Sequence, residues 1–129
     1  MKPLILLSCL AVMVSGVNAA YGADAKDRYL MLGPGAYLCG KVIVDLNEGV
    51  KHKDPKAQIS YEHWVAGYLT AYNKLSGSTY SIMGETEFND AFKSVLKYCQ
   101  LHPRELFAAS VEAYVKEAHP DRLRSMPEK

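Results

Sequence analysis

The sequence predicts an all-α fold, a compact four-helix domain stapled by one disulfide, and three observations lead there. Apolar residues recur at spacings of three and four in four successive segments. No segment alternates apolar and polar residues as a half-buried strand does. Two cysteines fall on the apolar faces of the first and third segments. With 129 residues, of which 49% are hydrophobic and 22% charged, the chain has room for a single globular domain once a leader is removed.

Residues 1–20 read as a secretory signal peptide. Lys2 precedes an apolar run from Leu4 to Val14, and small residues follow in cleavage-site positions, with the cut expected near Ala19 or Ala20. Leu6-Leu7-Ser8-Cys9 faintly suggests lipid attachment, but the apolar run continues past Cys9. That run is too short to cross a bilayer, which takes about 20 apolar residues, and no second such run follows, so no integral membrane segment is expected after cleavage. Export carries Cys39 and Cys99 into an oxidising compartment, where two thiols in a small domain pair as a disulfide.

Residues 21–34 are read as a flexible lead-in and residues 35–120 as the helical domain, with the Gly33-Pro34-Gly35 turn starting the folded part. The first helix starts at Ala36, buries Cys39, Val42 and Leu46, and stops near Asn47-Glu48-Gly49. Residues 50–57 are expected to form a charged loop. Ser60 is the expected cap of the second helix, with Glu62 in its first turn and Trp64, Tyr68, Ala71, Tyr72 and Leu75 as its apolar stripe. Gly67 costs that helix about 1 kcal/mol relative to Ala, so a close backbone approach is expected there. Gly77-Ser78-Thr79 ends it. The third helix begins near Thr86 and buries Phe88, Phe92, Val95, Leu96 and Cys99. Pro103 is expected at the first position of the fourth helix, whose buried side runs from Leu106 and Phe107 to Ala118 and which ends at His119-Pro120. Residues 121–129 are read as a polar tail.

Composition excludes several functions. The net charge is +1, and losing Lys2 with the leader leaves a nearly neutral chain, so nothing in the charge points to a nucleic acid or an anionic membrane as partner. The four histidines form no His-Glu-x-x-His pair, and the cysteines are taken by the bridge, so neither a metal site nor a cofactor is expected. No Gly-x-Ser-x-Gly elbow or paired carboxylates in an apolar setting stand out, and the protein is expected not to be an enzyme. Cys99-Gln100-Leu101-His102 resembles the Cys-x-x-His of secreted phospholipases, but Pro103 stands where those enzymes need the calcium-holding Asp. Among the nine tyrosines, Tyr61, Tyr72 and Tyr80 are candidate interface anchors. His63 and His102 are candidate pH-sensing groups.

Taken together, Tyr37-Leu38-Cys39, the His63-Trp64-Val65-Ala66-Gly67-Tyr68 run leading to Tyr72-Asn73, and Lys97-Tyr98-Cys99-Gln100-Leu101-His102-Pro103 resemble the HdeA/HdeB-like family of small exported helical proteins. The resemblance spans residues 37–118. It implies a periplasmic location, a homodimer at neutral pH, and the holding of unfolded protein clients in acid; Trp64, Gly67, Tyr68, Phe92 and Pro103 are the expected structural core. The chain departs from those relatives in length, in its tyrosine-rich middle and in the insertion-like residues 74–85. Charge supports acid loosening: with every carboxylate protonated and the histidines charged, the mature chain carries about +18. The alternative is a periplasmic protein with one specific partner, such as an immunity or inhibitor protein against a cell-wall-directed effector.

Overall fold

The computed structural model describes residues 23–26 and 28–128. The expected leader 1–20, with Cys9 and the cleavage site, lies outside the described residues. The chain divides into two units, residues 1–30 and residues 31–129. In the first, the Asp24 carboxylate accepts the backbone N–H groups of Lys26 and Arg28 and pairs with the Arg28 guanidinium at 2.7 Å. The Arg28 bond, above all, lowers the Asp24 pKa.

The second unit is helical, as expected. A 3-10 turn, Gly33–Ala36, leads into α1 (Cys39–His52), α2 (Lys56–Leu75), α3 (Phe88–Leu101) and α4 (Phe107–Ala118), followed by a 3-10 turn, His119–Asp121. Cys39 and Cys99 are bonded, with Cα atoms 4.7 Å apart. Both are fully buried in a core with Val42, Val65, Leu69, Ile82, Val95, Phe107 and Val111. Among the described residues no helix is long and apolar enough to cross a membrane.

Several boundaries differ from the sequence reading, each for a physical reason. The lead-in is ordered from its last residues onward, because the Trp64 indole N–H donates to the Leu32 carbonyl at 3.0 Å and the ring lies against Gly35. A Cβ on Gly35 would sit 2.0 Å from Trp64 Cζ2, so only glycine fits under the indole. The first helix starts at Cys39 rather than Ala36 and runs through Gly49 to His52. Lys53 then turns left-handed, with φ 54°, and the N–H of Asp54 returns to the Gly49 carbonyl at 2.8 Å. A Cβ on Gly49 would meet the Asp54 carbonyl at 2.8 Å, so this glycine permits the turn instead of ending the helix. The expected 50–57 loop shrinks to residues 53–55. The cap of α2 is likewise not Ser60: the helix begins at Lys56, whose N–H is taken by the Asp54 carboxylate at 3.1 Å.

Pro103 does not open the fourth helix. It also lies outside the core it was expected to join, exposed in a turn that serves the start of α1, a helix end whose first N–H groups have no partner within the helix. Cys39 N–H donates to the Glu105 carbonyl at 2.8 Å and Gly40 N–H to the Pro103 carbonyl at 2.9 Å. Phe107 N–H returns to the Tyr37 carbonyl at 2.8 Å, and Leu38 bridges Leu106. The polar tail is pinned at its beginning. Leu123 exchanges backbone hydrogen bonds with Ser81, and Arg122 donates to Thr79 Oγ1 and to the His119 carbonyl.

Gly67 corrects a further expectation. It is exposed on α2, with nothing among the described residues within 4 Å of the place where its Cβ would be, so no backbone of theirs approaches it and it is not part of the core. Gly67→Ala is therefore expected to stabilise the protein by about 1 kcal/mol through helix propensity, read as a raised thermal midpoint. A lowered midpoint would mean that the position packs against something after all.

Candidate functional site

The centre of α2 faces the core with Tyr61, Val65 and Leu69, while Trp64, Tyr68 and Tyr72 flank that stripe half-buried. Tyr61 is only 3% exposed, which overturns its reading as a surface anchor. A buried phenol needs a partner for its hydroxyl, and the partner here is on another helix: Tyr61 Oη donates to the Asp45 carboxylate of α1. The same carboxylate oxygen receives Lys41 Nζ at 2.6 Å. The Tyr61 ring meets Phe107 edge-on at 5.4 Å. One carboxylate thus ties α1 to α2 and, through Tyr61, to the core.

The Lys41 hydrogen bond first, and then the Tyr61 hydroxyl, lower the Asp45 pKa below the ordinary carboxylate value. Burial, reinforced by Asp45, raises the Tyr61 pKa far above the ordinary phenol value. Beside the tie lies a cleft of about 380 Å³ between α1 and α2, lined by Asp45, Glu48, His52 and Asp54. A carboxylate with a depressed pKa contributes stability in full above the unfolded value of about 3.9 and loses it as the pH falls through the folded value. Asp45→Asn is expected to cost about 1–2 kcal/mol in urea denaturation at pH 7. The gap to the parent protein begins to narrow below about pH 4 and closes as the pH falls through the depressed Asp45 value, where the parent loses the same charge. A gap that stays constant down to pH 2 would show that the carboxylate charge plays no part.

A second polar group sits where α3 ends. The His102 ring stacks on Tyr98 at a centroid distance of 4.2 Å, Tyr98 Oη donates to Glu105 Oε2 at 2.7 Å, and His102 Nδ1 lies 3.7 Å from Glu105 Oε1. The Glu105 bond raises the Tyr98 pKa. His102 and Glu105 are exposed and Tyr98 is half-buried, and among the described residues no enclosed cavity accompanies them. His63 stands exposed on α2, with no hydrogen bond or ion pair among the described residues, and does not join His102 in a cluster. Tyr80 is 47% exposed, Tyr72 is half-buried, and Phe92 is in the core. Among the described residues no group of three or more His, Cys, Asp or Glu is placed to hold a metal ion.

A third feature is an open apolar groove of about 380 Å³ over α1, between α2 and α3, which includes Leu46, Val50, Phe92 and Leu96. The sequence reading missed it, although α1's apolar spacing of three and four continues from Cys39, Val42 and Leu46 to Val50, just past the expected helix end at Asn47-Glu48-Gly49.

Fold and site together define a small helical, disulfide-bonded domain with an interhelical carboxylate tie. No family model, curated protein or solved structure matches the chain.

Proposed function

We propose that this is an exported, periplasmic, non-enzymatic protein that holds unfolded polypeptide clients when its surroundings turn acid. The observation that carries the reading is the Asp45 tie. The bond between α1 and α2 depends on a carboxylate charge, whereas the bond between α1 and α3 is a disulfide that acid leaves intact. Acid therefore acts against one helix contact and spares the other, so the chain can loosen around a fixed covalent point and expose core side chains such as Val65 and Leu69. The resemblance of the Trp64–Tyr68 and Cys99–Pro103 motifs to the HdeA/HdeB-like family supports the same reading, as does the large positive charge at low pH.

The test is aggregation of an unrelated client, followed by light scattering at pH 7 and at pH 2–3, with apolar-dye binding in parallel. Protection and reversible dye binding in acid alone are the expected result. Protection at neither pH, with one envelope protein captured at pH 7, would replace this reading by the single-partner alternative. The exposed Tyr80 is the surface aromatic that favours that alternative.

A further inference from the structure

The groove over α1 carries an inference that concerns the folded protein at neutral pH and does not depend on acid opening. The disulfide joins the first residue of α1 to the end of α3, so the two helices run antiparallel, and Leu46 and Val50 come to face Phe92 and Leu96. α1 continues its apolar stripe to Val50, but among the described residues no element covers it there, and Val50 is 76% exposed. Gln58 and Glu62 of α2 form the opposite wall. A neighbouring cavity of about 320 Å³, sharing Leu46, Val50 and Gln58, prolongs the groove past Lys53 at the α1–α2 turn. The floor residues 46 and 50, and 92 and 96, are each four apart, the spacing of the ridges that helices interlock.

The charges along this groove have a direction. Lys93 is neutralised by Asp90 at 2.7 Å and Asp54 by Lys56 at 3.7 Å. Among the described residues Glu62 has the Gln58 amide at 2.8 Å but no cation in ion-pairing range, and Lys53 has no carboxylate. An uncompensated positive charge therefore lies at the turn. An uncompensated negative charge lies nearly two turns along α2, about 9 Å at 1.5 Å per residue.

We propose that this groove docks an amphipathic helix of another protein, with apolar residues spaced three and four apart, an acidic residue in its first turn set against Lys53, and a basic residue two turns later set against Glu62. Such a helix would run parallel to α2, and its own dipole favours the same placement of acid and base. An anionic membrane is disfavoured, because the rim carries both signs.

The test uses the isotopically labelled protein at pH 7 and a synthetic helical peptide of about fourteen residues with leucines at those spacings, glutamate in its first turn and lysine two turns later. Amide shifts confined to the groove residues are expected. Val50→Gln is expected to weaken binding about tenfold, and Glu62→Lys by a similar factor, with recovery when the peptide's lysine is exchanged for glutamate. No binding, shifts elsewhere on the domain, or failure of the charge exchange would overturn the proposal. Self-association that buries Val50 and blocks the peptide would overturn it in favour of a second copy of this chain. Val50 and Glu62 lie at the surface of their helices, and circular dichroism checks that both variants fold. Because the peptide experiment is done at pH 7 and the client experiment decides in acid, either reading can fail alone.

Discussion

Replacing Cys39 and Cys99 together by alanine is expected to cost about 4 kcal/mol of stability, a large share of the 5–15 kcal/mol available to a domain of this size. The cross-link closes a loop over a sequence separation of 60, and closure of a loop that long removes much of the freedom of the unfolded chain. Both cysteines are fully buried, so the change also leaves a small void in the core. The loop encloses the whole of α2 and leaves α4 outside it. α4 is attached through packing and through the backbone bonds around residues 37–40 and 103–107. Urea denaturation of the parent and the double variant measures the effect. The expected result is a much lower midpoint for the variant, approached by the parent under reducing conditions. An unchanged midpoint would mean that the bridge constrains nothing the rest of the fold does not already constrain.

What the sequence made legible was what depends on local spacing. The four helices follow from apolar residues three and four apart, and the bridge follows from two cysteines that both sit on such faces. What escaped was set by contacts between distant residues. Nothing near Gly35 announces that the Trp64 ring will lie on it. Pro103 carries a good helix-start signal, but the open N–H groups of α1 compete for that segment and its carbonyls go to Cys39 and Gly40. In α2 the large aromatics Trp64, Tyr68 and Tyr72 drew the apolar stripe toward themselves, whereas the innermost positions belong to Tyr61, Val65 and Leu69, about a quarter-turn away. Tyr61 can go inside because Asp45, sixteen residues earlier on another helix, accepts the hydrogen bond from its hydroxyl, and no periodicity within α2 reports that partner.

The second large effect is expected at Phe107, which is fully buried at the start of α4. Its ring is shared by the edge-on contact with Tyr61 at 5.4 Å and a tilted contact with Trp64 at 5.6 Å. Phe107→Ala removes the common neighbour of both and leaves a cavity that the disulfide-bonded α1–α3 pair cannot readily collapse into. A cost of about 3–5 kcal/mol is expected, read as a fall of the thermal midpoint by about 15–30 °C. In the folded variant the half-buried Trp64 should gain access to water, so its emission should shift to the red before any unfolding begins. The cavity also reaches the Asp45 tie, since Tyr61 keeps its hydroxyl on Asp45 only while its ring is held. The costs of Phe107→Ala and Asp45→Asn at pH 7 should therefore not add: the double variant should be about 0.5–1 kcal/mol less destabilised than the sum, because the first change has already loosened what the second removes. Strict additivity would show that the carboxylate tie stands without its aromatic support, and acid would then act on the α1–α2 seam alone, leaving the core behind it closed.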